Sequence, residues 1–161
     1  MEVVKASEQH VDDIVRLWLQ LSDSHGTLDD FYRPCDGAAG NFETYLRQSM
    51  ATEGFLVVVC LEGERVVGYA LASAEQHPPV VACRDFGHID NLVVDADFRR
   101  RGAGRLMVEY TVEWFTGRGI TRTELDVSEL NLAGLAFWRA VGFNDFQRVM
   151  VRKENAGPER G

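Results

Sequence analysis

Leu92-Val93-Val94-Asp95-Ala96-Asp97-Phe98-Arg99-Arg100-Arg101-Gly102-Ala103-Gly104-Arg105 begins as an apolar run, turns basic and glycine-containing, and leads into a segment whose apolar residues recur at helical spacing: Leu106, Met107, Tyr110, Thr111, Trp114 and Phe115. Strand, tight turn and helix therefore follow one another. Glycines let a backbone approach a ligand closely, and the first turn of a helix presents unpaired N–H groups at the positive end of its dipole. Arg99, Arg100, Arg101 and Arg105 add positive charge at the same place. The physical reading is an anion site, most economically for a pyrophosphate; the plainer alternative is a solvated basic turn that only starts a helix. Two familiar phosphate motifs fail on the letters. The dinucleotide fingerprint needs a third glycine where Met107 stands, and the nucleotide-hydrolase loop needs Gly-Lys-Ser/Thr where the chain has Gly104-Arg105-Leu106.

Working outward, residues 3–6 form a short apolar run ending at Ser7, a residue that can cap a helix, and Val11, Ile14, Val15, Trp18, Leu19 and Leu21 then mark an amphipathic helix. Residues 22–40 are polar and irregular, a loop-rich flap, before a second short helix over 42–50. Residues 55–61 are β-branched enough for a buried strand, Glu62-Gly63-Glu64 is a hairpin signal, and 65–74 is the returning strand. Pro78-Pro79 marks a break before a long strand over 85–94. Beyond the quoted stretch, Gly117 and Gly119 stop the helix, 121–127 is a strand, 132–141 a helix ended by Gly142, and 143–152 a final strand. This order predicts an α/β domain with a mixed sheet and helices on both faces. Residues 1–153 form one domain, and 154–161 a frayed tail with nothing to bury.

The 161 residues carry 17 basic against 25 acidic side chains, a net charge of −8, with 45% hydrophobic composition. That is ordinary globular composition, far from the disordered corner. Net negative charge disfavours a nucleic-acid partner, and the longest apolar run is far short of the roughly 20 residues a membrane span needs. The first residues lack the basic and apolar regions of a signal peptide, so the expected compartment is the cytoplasm. Cys35, Cys60 and Cys83 form neither a Cys-x-x-C pair nor a Cys/His cluster, so neither a disulfide framework nor a metal site is indicated.

The quoted run resembles the acetyl-CoA signature of the GCN5-related N-acetyltransferase (GNAT) superfamily, Leu-x-Val, a four-residue gap, then Arg/Gln-x-x-Gly-x-Gly/Ala, with every fixed position matched. A second block, Asn131-Leu132-Ala133-Gly134-Leu135-Ala136-Phe137-Trp138-Arg139-Ala140-Val141-Gly142-Phe143, resembles the family's later motif, and together with the opening strand and helix the resemblance covers residues 3–152. It implies the GNAT acyl-CoA N-acyltransferase fold, whose mixed central sheet splays between two parallel strands, with acetyl-CoA as co-substrate in the opening. Carried over, Arg99, Arg100, Arg101, Gly102, Ala103, Gly104 and Arg105 would hold the pyrophosphate, chiefly through the amides of 101–104. Leu92 and Val94 would pair with the pantetheine arm, and Asn131, Phe137 and Trp138 would face the cofactor; for Asn131 a helix N-cap is the alternative.

The reaction implied is direct attack of an amine on the thioester, aided by a base because few lysine-like amines are neutral at pH 7. Strand alternation puts His88, Asp90 and Leu92 on one face; Asp90 is the first choice as base and His88 the second. Where many members carry a tyrosine that protonates the departing thiolate, this chain has Trp138, which cannot serve as that acid. Acidic Asp23, Asp29, Asp30, Asp36 and Glu43, interleaved with Phe31, Tyr32 and Phe42, point to a cationic small-molecule or peptide amine acceptor; a solvated acidic loop explains the same letters. The competing reading on the same scaffold is a non-catalytic acyl-CoA sensor, encouraged by Trp138. A second competing reading is an anion-binding regulatory domain. A homodimer is common among relatives.

Overall fold

Leu56, Val57, Val58, Val59 and Cys60 are buried on both sides of one strand, and the sheet is assembled around it. The computed structural model describes residues 1–152. Strands β1 (Glu2–Lys5), β2 (Phe55–Glu62), β3 (Arg65–Gln76), β4 (Asp85–Val94) and β5 (Thr123–Glu124) lie in sequence order. All neighbours are antiparallel except β4 and β5, which are parallel. Helices α1 (Val11–Gly26) and α2 (Ala38–Ala51) precede β2, α3 (Ala103–Thr116) follows β4, and α4 (Leu132–Ala140) follows β5.

Alternation along the strands divides the core between two helix layers. Val57, Val59, Tyr69, Leu71 and Val93 meet Val11, Ile14, Leu17, Phe42 and Leu46 of α1 and α2, where Trp18 and Phe42 stack with ring centroids 4.6 Å apart. On the opposite face Val58, Cys60, Val67 and Ala70 meet Ala103 and Met107 of α3, while Ala72 and Ile89 pack with Phe115, Ile120 and the α4 residue Trp138. This is the expected mixed sheet with helices on both faces. Two glycines set how closely α3 approaches it. A Cβ on Gly68 would lie 2.9 Å from Met107 Cε, and one on Gly87 would run into the Phe115 ring.

Three expectations change. The flap is shorter than its composition implies, because α1 runs on to Gly26 and α2 begins at Ala38. The strand expected over 121–127 contracts to Thr123–Glu124. No strand forms over 143–152: residues 144–152 are all exposed, with Phe146, Val149, Met150 and Val151 each at least 75% accessible. Apolar letters there satisfy strand propensity, but propensity needs a paired edge and a covered face to act on. The tail expected over 154–161 lies outside the described residues.

Candidate active site

The alternation of β4 is broken once. Leu71 pairs with Asn91 and Ala72 with Ile89, so Asp90 is the extra, unopposed residue of a β-bulge. Its consequence is a change of phase. His88 and Asp90 share the face of Ser73, and Asn91 and Val93 continue on that side, whereas Leu92 packs with Ala70, Ala103 and Met107 on the other. The expectation that Leu92 shares a face with His88 and Asp90 is therefore corrected; an inserted residue reverses the parity that simple alternation assumes. The bulge is tied down by a short chain of hydrogen bonds. The hydroxyl of fully buried Tyr69 donates to Asn91 Oδ1 at 3.2 Å, and Asn91 Nδ2 donates to the Asp90 carbonyl at 2.7 Å.

Polar groups converge at the bulge. His88 Nδ1 lies 3.1 Å from Asp90 Oδ1, and its Nε2 lies 3.5 Å from the exposed carboxylate of Asp126. Ser73 Oγ donates to Glu75 Oε1 at 2.8 Å and stands 3.4 Å from Asp90 Oδ2. One ligand atom each from Glu75, His88 and Asp90 falls within 4.8 Å of the others, a carboxylate–imidazole group of a kind that can also take a divalent cation. The hydrogen bond to Asp90 raises the His88 pKa, outweighing burial, which lowers it; the charges of Asp90, Glu75 and Asp126 add to the rise. Burial and then the Asp90 charge push the Tyr45 phenol up, which brings this α2 side chain within the field of the cluster. Tyr45, Ser73, Glu75, Asn91 and Asp126 were not singled out from the letters. The available signal was polar Ser73 and Glu75, two apart, closing an otherwise apolar strand.

Beside this cluster the sheet opens. β4 and β5 pair only at Gly87–Thr123 and His88–Glu124, so β4 continues from Ile89 to Val94 with no strand on its outer edge among the described residues. At the end of that edge lies the basic turn. Arg100 (φ 60°) and Gly102 (φ 93°, the N-cap of α3) are both left-handed, and nothing stands within 4 Å of the position a Gly102 Cβ would take. Two left-handed positions on either side of Arg101, just ahead of a helix, make a concavity of backbone N–H groups, and only glycine adopts φ near 90° without strain.

Of the turn's arginines, Arg101 pairs with Glu62, whereas Arg99, Arg100 and Arg105 have no carboxylate partner among the described residues. Arg99 Nε folds back onto the Val94 carbonyl at 3.3 Å, and Arg105 donates to the Ala140 carbonyl at 3.2 Å. Concave amides, open space and unpaired guanidinium charge suit a diphosphate.

The two sequence blocks meet here. A Cβ on Gly104 would lie 3.0 Å from Phe137 Cζ, so α4 is seated against the first turn of α3. Asn131 caps α4, its Oδ1 accepting from the Gly134 amide at 2.9 Å. Trp138 packs edge-on to Phe137 and Phe143 and joins the cluster of Ile89 and Phe115.

The structure thus presents a five-stranded mixed sheet opened between β4 and β5, with a glycine turn at the mouth. The chain belongs to the Acetyltransferase (GNAT) family, whose model matches residues 18–143. Among curated proteins it is similar to the [ribosomal protein bS18]-alanine N-acetyltransferase of Salmonella typhimurium, 30% identical over 87 residues, 52% of this chain and 59% of that protein. The chain thus spans less than two thirds of that relative's length. Among solved structures it resembles a tetramutant of the BH1408 protein from Bacillus halodurans, with TM-score 0.84 and 22% identity over 96% of this chain and all of the other. It also resembles the aminoglycoside N-acetyltransferase AAC(6')-Iy in complex with CoA, with TM-score 0.77 and 17% identity over 96% and 94% of the two chains. These structural likenesses establish the fold. No helix among the described residues is long and apolar enough to cross a membrane.

Proposed function

We propose that this chain is an acetyl-CoA-dependent N-acetyltransferase acting on a primary amine of a cationic acceptor. The observation that carries the reading is the juxtaposition, along one free strand edge, of a concave basic turn and a carboxylate–imidazole cluster. Acetyl-CoA supplies an activated acyl group: the C–N bond forms at the thioester carbonyl as the C–S bond breaks. The amides of Arg101, Gly102, Ala103 and Gly104, with Arg99, Arg100 and Arg105, hold its phosphates, and the open edge at Leu92 and Val94 takes its pantetheine arm. Phe137 shapes the wall at Gly104.

His88 takes the amine's proton through Nε2, while Asp90 holds Nδ1–H and fixes the tautomer. Strand position alone favours Asp90 as base; the 3.1 Å contact to the imidazole supports giving His88 the proton and Asp90 the orienting role. Glu75, Asp90 and Asp126 leave the cluster rich in carboxylate, which favours a cationic acceptor. The solved relative that acts on aminoglycosides and the curated relative that acts on a ribosomal-protein alanine mark the range of amines. Trp138 carries no proton suited to the departing thiolate, so water fills that role.

Release of free thiol from acetyl-CoA, followed against a panel of polyamines, aminoglycosides, amino acids and peptides, tests this. Amine-dependent release, steepest with multiply charged amines, is expected. Tight CoA binding with no release for any amine would favour the acyl-CoA sensor instead.

A further inference from the structure

Asp95 sits where the signature strand ends and the basic turn begins, and its carboxylate is only 5% exposed. An acid buried beside an anion site is electrostatically adverse, so its surroundings must account for it. Arg16 of α1 reaches Asp95 Oδ2 at 3.1 Å and Arg65 of β3 reaches the same oxygen at 3.2 Å. Both guanidinium groups come from outside the signature. The backbone winds around the same residue: the Asp97 amide donates to Asp95 Oδ1 at 3.2 Å, the Phe98 amide to the Asp95 carbonyl at 2.8 Å, and the Asp95 amide to Val67 O at 2.9 Å. Phe98 then meets two cations, with Arg65 4.6 Å and Arg101 5.0 Å from its ring centroid, and Arg101 is anchored on Glu62 of the β2–β3 hairpin. The left-handed positions Arg100 and Gly102 follow directly.

We propose that Asp95 is a positioning residue for the coenzyme: clamped by Arg16 and Arg65, it fixes the backbone of the basic turn so that the amides at the start of α3 point at the diphosphate. The inference rests on reading that turn as the coenzyme site. It also assigns the Arg101 side chain to the clamp and leaves Arg99, Arg100 and Arg105 to face the phosphates.

The sign of one substitution separates positioning from charge. If Asp95 acted only through its charge, Asp95→Asn would tighten CoA binding by removing a negative group; if it positions the turn, the same substitution weakens binding. The expected result, by titration calorimetry with CoA, is a dissociation constant raised about tenfold, the worth of one charge-assisted hydrogen bond. In turnover, KM for acetyl-CoA rises by the same factor while kcat and the acceptor KM stay within about twofold. Arg65→Gln lies on a half-exposed side chain and keeps the test alive should Asp95→Asn fold poorly; it also weakens CoA binding, and the double variant adds nothing to the larger single effect. Unchanged or tighter CoA binding in folded Asp95→Asn overturns the proposal, as does full additivity of the pair. Failure of the unaltered protein to bind CoA overturns the reading of the turn instead.

Discussion

At His88, geometry and titration point the same way. The hydrogen bond that His88 donates to Asp90 raises the imidazole pKa above its ordinary 6.5, so the proton-accepting form prevails only above that raised value. The acid limb of kcat/KM for the amine should therefore have its midpoint above pH 6.5, and Asp90→Asn should move it down while lowering kcat by about tenfold or more. Linkage has the opposite face. A raised pKa contributes stability that is fully present below pH 6.5 and is lost as pH climbs through the folded value, so the stability gap between the parent chain and Asp90→Asn should shrink from pH 6 to pH 8.5 in urea melts. A pH–rate curve unmoved by the substitution would remove His88 and Asp90 from proton transfer. Burial would raise the Asp95 carboxyl, but its hydrogen bonds from the Asp97 amide, Arg16 and Arg65 win and hold it below the usual carboxylate range. Its contribution is therefore present above about pH 4 and is lost only as pH falls further.

At the scale of elements, the fit of α3 on the sheet depends on side chains that are missing. Gly87 faces the Phe115 ring at a separation no Cβ could occupy, and Phe115 is fully buried. Gly87→Ala must displace either α3 or the ring, at about 1–3 kcal/mol for overpacking. Phe115→Leu in the same chain should recover part of that loss, so the two changes are non-additive in thermal or denaturant melts; strict additivity would mean that the ring does not set the spacing. This contact also shows what the letters carried. Strand and helix periodicity over 55–61, 85–94 and 106–115, with the glycine turn between them, conveyed the sheet, the crossover and the basic mouth, because burial on two faces imposes period and length. The bulge at Asp90 left no such mark: it inserts one residue without altering composition, and its supports, Tyr69 and Asn91, lie on different strands. The converse failure is 143–152, where apolar letters matched a strand but none of 144–152 is buried.

At the scale of the whole molecule, charge would separate the two proposed substrates. The chain is −8 overall, and without Arg99, Arg100, Arg101 and Arg105 it would carry 13 basic against 25 acidic side chains. The basic turn is thus a local cationic spot in an anionic field, while the carboxylates of Glu75, Asp90 and Asp126 gather near His88 at the proposed amine site. Long-range attraction then favours a cationic acceptor, and only short-range contacts at the turn favour the coenzyme's phosphates. Ionic strength acts differently on the two, because the Debye length falls from about 10 Å at 0.1 M salt to about 3 Å at 1 M. Attraction summed over the surface is screened first, and ion contacts in a concave mouth are screened less. Between 0.05 and 0.5 M sodium chloride, kcat/KM for a multiply charged amine should fall by about tenfold and that for a singly charged amine by much less, while KM for acetyl-CoA should rise by a factor between the two. Initial-rate measurements across that range decide it: equal salt dependence for singly and multiply charged amines would show that the acidic surface steers nothing, and would move the choice of acceptor to contacts inside the opening.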